Sequence, residues 1–114
     1  MKDKLTNEQS LRLFELGISE DKASAIDKET GQRQFTLANV IEVLTALTAI
    51  GEYKLRMDIV GGFYNVYLFH NLFREKKAEI RSELEMIDAV FGVAVCILEK
   101  LQDDFKNKIN GTKE

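Results

Sequence analysis

"EYKLRMDIVGGFYNVYLFH", residues 52–70, decides how this chain folds. On either side of Gly61-Gly62, apolar and polar residues alternate with the period of two that marks a half-buried strand. Paired glycines suit a two-residue hairpin turn, whose central residues need positive φ. With Val60 opposite Phe63, Ile59 falls against Tyr64, Met57 against Val66 and Leu55 against Leu68. One face then carries Tyr53, Leu55, Met57, Ile59, Tyr64, Val66 and Leu68, and is the expected core face. A slip of one residue would turn that set outward, so the register is well specified. The other face carries Lys54, Arg56, Asp58, Val60, Phe63, Asn65, Tyr67 and Phe69.

A lone hairpin is marginal in water. A third strand is therefore expected: "NLFREKKAEIRS" (71–82) reads as a charged turn followed by a short strand near residues 78–81. Ser82 and Glu85 have the spacing of a capping box and open a last helix expected over 82–105. Leu84, Ile87, Phe91, Ala94, Leu98, Leu101 and Phe105 recur at helical spacing, and Met86, Val90, Val93 and Ile97 form a second stripe beside them. This helix is expected to lie across the Tyr53/Leu55/Met57/Ile59 face. One sheet face covers one stripe, so the second stripe favours association. Residues 106–114 read as a polar, frayed tail.

Upstream of the hairpin, Thr6 and Gln9 form another capping box, ahead of Leu11, Leu13, Phe14 and Leu16. Gly17 stands where a helix end wants positive φ. Ser19 is expected to cap a second short helix carrying Ala23, Ala25 and Ile26. "DKETGQRQ" (27–34) reads as a polar loop. Thr36 is expected to cap a third helix through Leu37, Val40, Ile41, Leu44 and Leu47. Helices, a β-meander and a long helix in that order make an α+β domain with helices on one face of a small antiparallel sheet. Residues 1–105 form one such domain.

In their order and spacing, "LTNEQSLRLFELGISEDKAS" (5–24), "FTLANVIEVL" (35–44), "EYKLRMDI" (52–59) and "ELEMIDAVFGVAVCILEK" (83–100) resemble a family of short proteins carried by gut anaerobes and their phage-like mobile elements. The chain departs from that pattern in lacking a Leu-Pro after the third helix and any tryptophan. The resemblance implies the same α+β fold. It brings no catalytic or binding residues with it.

Composition narrows function mostly by exclusion. The 114 residues carry 16 basic and 19 acidic side chains, for a net charge of −3. No global field draws the chain toward nucleic acid or anionic lipid. A single cysteine cannot form an internal disulfide, which fits a reducing, cytoplasmic setting. The opening MKDKLTNEQS lacks the apolar run of a secretory signal. The most apolar stretch, "MIDAVFGVAVCIL" (86–98), contains Asp88 and falls short of the ~20 residues a bilayer core requires. No membrane span is expected.

The corner "LFELGISEDKASAI" (13–26) has the outline of a helix-turn-helix. A recognition helix offers Arg, Lys, Asn or Gln to base edges. Here the second element would begin Ser19, Glu20, Asp21, and two carboxylates there would meet phosphate. A C-cap followed by an N-cap explains the corner without DNA. His70 and Cys96 are single residues in different elements, whereas a zinc site wants three or four ligands. Among Val95 and Ile97, Cys96 reads as a small hydrophobe. Glu85, Asp88 and Glu99 read as a solvated helix face, and Gly61-Gly62 joins two strands instead of opening a phosphate loop. No catalytic residue, metal ligand or cofactor is expected, and the chain reads as a non-enzyme.

The informative surface is the second hairpin face. Lys54, Arg56, Phe63, Tyr67 and Phe69 make a candidate interaction surface in which aromatics stand beside cations. Either the N-terminal helices cover it or a partner does. The leading expectation is a cytosolic protein-interaction module, an accessory of a mobile element, with an unidentified protein or a second copy of the chain (a homodimer) as partner. The alternative is a small nucleic-acid-binding protein that stacks bases on this face, with "REKKAEIR" (74–81) alongside. Nucleic acid ranks behind protein.

Overall fold

The computed structural model describes residues 2–70 and 79–111. Its elements are α1 (Asn7–Glu15), a 3-10 turn (Glu20–Lys22), β1 (Ala25–Ile26), β2 (Arg33–Gln34), α2 (Leu37–Gly51), β3 (Tyr53–Val60), β4 (Phe63–His70), β5 (Glu79–Glu83) and α3 (Met86–Gly111). They form an α+β fold. The main sheet is antiparallel in the order β3-β4-β5, and β1 and β2 make a small second ribbon.

Local chemistry sets the ends of the helices. Thr6 Oγ1 accepts from the Gln9 amide at 3.1 Å, and Gln9 Oε1 accepts from the Thr6 amide at 3.0 Å. At the other end of α1, Gly17 adopts φ +104°. Its N–H donates to the Phe14 carbonyl and the Ile18 N–H to the Leu13 carbonyl, both at 3.0 Å. These two bonds are a Schellman closure, and only glycine adopts that φ without strain. Thr36 and Asn39 repeat the capping box on α2.

The second short helix expected from Ser19 is absent. Three residues form a single 3-10 turn, and the Ser19 side chain makes no cap bond. Helix nucleation is costly, and two alternating residues joined to a turn gain more by pairing. Ala25 and Ile26 pair with Gln34 and Arg33. The expected polar loop thus contains a strand and its turn, in which Asp27 N–H donates to the Gln32 carbonyl at 2.8 Å.

The hairpin has the expected register, from Val60 opposite Phe63 to Tyr53 opposite His70. Gly61 and Gly62 take φ +58° and +84°, as the mirror-image turn demands. The third strand pairs with β4, Tyr64 opposite Glu83 and Leu68 opposite Glu79. Ser82 therefore lies inside β5, opposite Asn65, and does not cap a helix. Pairing with β4 claims it, and α3 begins at Met86, with the Glu85 carbonyl accepting from Ala89 N–H at 3.2 Å. The helix continues past residue 105 to Gly111. The expected charged turn falls on residues 71–78, which lie outside the described residues.

α3 packs on β4 and β5, while α2 packs on α3 and reaches β3. Both α3 stripes are used inside the chain: Ile87, Val90, Val93, Ala94, Ile97 and Leu98 are all buried. α2 covers what the sheet does not, so the second stripe is no reason to associate. The core continues through Leu5, Leu13, Phe35, Val40 and Leu44, with the Phe14 and Phe35 rings 5.1 Å apart.

The expected core face of the hairpin is buried only at its base. Tyr53, Val66 and Leu68 are buried and Leu55 and Tyr64 partly so, but Met57 is 39% and Ile59 68% exposed. α3 crosses the sheet on the β4–β5 side, so it does not roof the distal half of β3.

Candidate functional site

Strand pairing assembles the second hairpin face from cross-strand couples: Lys54 with Phe69, Arg56 with Tyr67, Asp58 with Asn65, and Val60 with Phe63. Opposed residues in an antiparallel pair stand ~5 Å apart on one face, so the members of each couple are neighbours. The Arg56 guanidinium lies 4.8 Å from the centroid of the Tyr67 ring, a cation–π geometry. It also pairs with Asp58 at 3.2 Å. Arg56 is thereby held flat against the sheet.

The N-terminal helices do not cover this face. Lys54, Arg56, Val60 and Phe63 are exposed, and Asp58, Asn65, Tyr67 and Phe69 are half-buried. All five residues singled out by alternation, Lys54, Arg56, Phe63, Tyr67 and Phe69, therefore lie together on one accessible surface. Among the described residues Lys54 makes no ion pair. The basic stretch at 74–78 lies outside the described residues. What alternation missed is the continuation of this surface around the β3 edge to Met57 and Ile59. Nothing in the period of the strand distinguishes its roofed half from its open half.

The other conspicuous chemistry is a latch. Asp88 Oδ1 accepts from Lys2 Nζ at 2.6 Å and from Gln9 Nε2 at 2.9 Å, and the Glu85 carboxylate accepts from the Lys2 backbone N–H at 3.1 Å. Farther along α3, Glu99 pairs with Arg12 at 2.9 Å. The acidic row read as a solvated face is thus the docking strip for the N-terminal segment. Partial burial pushes the Asp88 carboxyl up, but the bonds from Lys2 and Gln9 and the lysine charge outweigh it. The net result is a carboxyl below its usual range.

Where a recognition helix would stand, the Gly-Ile-Ser corner walls a shallow groove of about 380 Å³ with α2, lined by Ile18, Lys22, Glu42, Val43 and Ile50. Cys96 is half-buried on α3 and His70 ends β4. Among the described residues no three His, Cys, Asp or Glu stand close enough to hold a metal ion. Nor is any described helix long and apolar enough to cross a membrane. Comparison with protein-family models, curated proteins and solved structures returns no match to this chain.

Proposed function

We propose that the chain is a non-enzymatic protein-interaction module whose partner docks on the open hairpin face. One observation carries the reading: Arg56, Phe63, Tyr67 and Phe69 share a sheet face over which no described helix packs. Arginine and aromatics are the residue types enriched where proteins meet, the aromatics because they bury large area at low entropic cost. The net charge of −3 gives the chain no field toward phosphate, which favours protein over nucleic acid. The resemblance to proteins of mobile elements supplies the setting, an accessory protein in the cytosol.

Stacking of bases on the same face is the second reading, favoured by Lys54 and Arg56 beside three aromatics. Capture from host lysate separates the two. The native chain is compared with Lys54→Glu/Arg56→Glu and Tyr67→Ala/Phe69→Ala, each with and without nuclease. Protein retained by the native chain, indifferent to nuclease and lost with both double variants, supports the module. Nuclease-sensitive, salt-dependent retention lost with Lys54→Glu/Arg56→Glu supports nucleic acid. Capture that survives both double variants overturns the assignment to this face.

A further inference from the structure

We infer that the free edge of β3 pairs with the β3 edge of a second copy, joining two three-stranded sheets into one of six strands about a two-fold axis at Met57. The inference deepens the interaction reading by naming a partner, on the edge that adjoins the open face.

Among the described residues β3 is an outer strand of its sheet. It pairs with β4 through eight consecutive residues without a bulge, and the chain contains no proline to blunt the edge. Natural proteins rarely leave so regular an edge uncovered. The direction of its hydrogen-bonding groups follows from the turn. Across a two-residue turn the Val60 carbonyl meets the Phe63 N–H, so Val60, Asp58, Arg56 and Lys54 bond to β4. Alternate residues Leu55, Met57 and Ile59 then direct N–H and C=O outward. The same distal stretch exposes apolar side chains, with Ile59 at 68%, Val60 at 59% and Met57 at 39%.

Charge selects the occupant. A two-fold antiparallel pairing centred on Met57 sets Arg56 opposite Asp58 of the second copy and Asp58 opposite its Arg56. Both ion pairs fall at non-hydrogen-bonded positions, where side chains approach most closely. Leu55 meets Ile59 and Met57 meets itself, so apolar residues face apolar residues on the other side of the sheet. The neighbouring registers fail. Centring on Arg56 opposes two arginines, centring on Asp58 opposes two aspartates, and centring on Leu55 sets Lys54 against Arg56. Like charges directly opposed destabilise a ladder. The edge is self-complementary in one register, as an isologous interface requires.

The test is mass in solution, by sedimentation or light scattering, on the full chain. The native protein is expected to show twice its 13.0 kDa as concentration rises. Arg56→Asp opposes two aspartates across the axis and Asp58→Arg opposes two arginines, so each single variant is expected to dissociate about tenfold more readily. An equimolar mixture of the two restores opposite charges at both pairs and is expected to recover association as a heterodimer. The Met57 N–H serves no bond to β4, so Met57→Pro is expected to keep its fold by circular dichroism and to be monomeric by mass. A strict monomer at all concentrations overturns the inference, as does a dimer indifferent to these variants or a mixture no tighter than its components. Because Tyr67 and Phe69 lie on β4, away from the edge, a monomer that still loses its partner through Tyr67→Ala/Phe69→Ala sinks the dimer alone and leaves the interaction module standing.

Discussion

Asp88 shows how one side chain ties the N-terminal segment to α3. Its carboxylate accepts from Lys2 and Gln9 in a partly covered site. Because its pKa is lowered on folding, it stabilises the folded state above the ordinary carboxylate range near pH 4, and that contribution is lost as pH falls through the lowered value. Asp88→Asn is expected to cost about 1 kcal/mol at pH 7, the low end for charged hydrogen bonds because solvent reaches the pair. Urea midpoints at pH 7 and pH 3 check this, since the gap between native and variant should narrow on acidification. A gap that stays constant would mean that the loss does not come from the charge of Asp88. Ser10 is a quieter case: fully buried, it accepts the Phe35 N–H at 3.2 Å. Its hydroxyl satisfies an amide that a core residue would otherwise bury unpaired.

The hairpin is the element whose sequence and geometry agree most closely, and its turn is where that agreement is most easily broken. Gly61 and Gly62 both sit at positive φ. Gly61→Asn should be nearly neutral, because asparagine tolerates the left-handed region and is favoured first in such turns. Gly62→Val should cost about 1–2 kcal/mol, since a β-branched residue is strained there whatever space surrounds it. Thermal midpoints of the two variants rank them, and an equal loss for both would contradict the turn type. Caps and alternation were readable from residues because Thr6, Gln9, Thr36 and the paired glycines act within a few positions of themselves. Ser82 misled because the same Ser-x-x-Glu spacing is met by a strand residue followed by a corner. Ala25 and Ile26 misled because two residues have no period. The candidate surface was legible by parity alone, whereas its openness was not, since that depends on where α2 and α3 pack. The acidic row on α3 looked solvated because its partners, Lys2, Gln9 and Arg12, lie about eighty residues away in sequence.

The molecule as a whole divides into a dense half and a projecting one. α3 meets α1, α2, β4 and β5, so its buried stripe is common to every layer. The distal hairpin stands clear of that packing, and the Cα radius of gyration, 15.2 Å, exceeds the ~13 Å of a compact chain this long. Stability and binding should therefore separate by position. Ile97, fully buried, anchors the dense half. Ile97→Ala removes three carbons from a site hemmed in on all sides and is expected to cost about 2–5 kcal/mol. Ile59→Ser, equally drastic in chemistry, falls on a side chain that the single chain leaves mostly in water, and its effect on the isolated fold should stay within about 0.5 kcal/mol. Denaturant midpoints measured on dilute protein compare the two directly, with the slope of the transition unchanged for Ile59→Ser. A loss at Ile59 as large as at Ile97 would mean that the hairpin tip is held by contacts within one chain, and the division between a load of packing at α3 and an open recognition edge at β3 would fail.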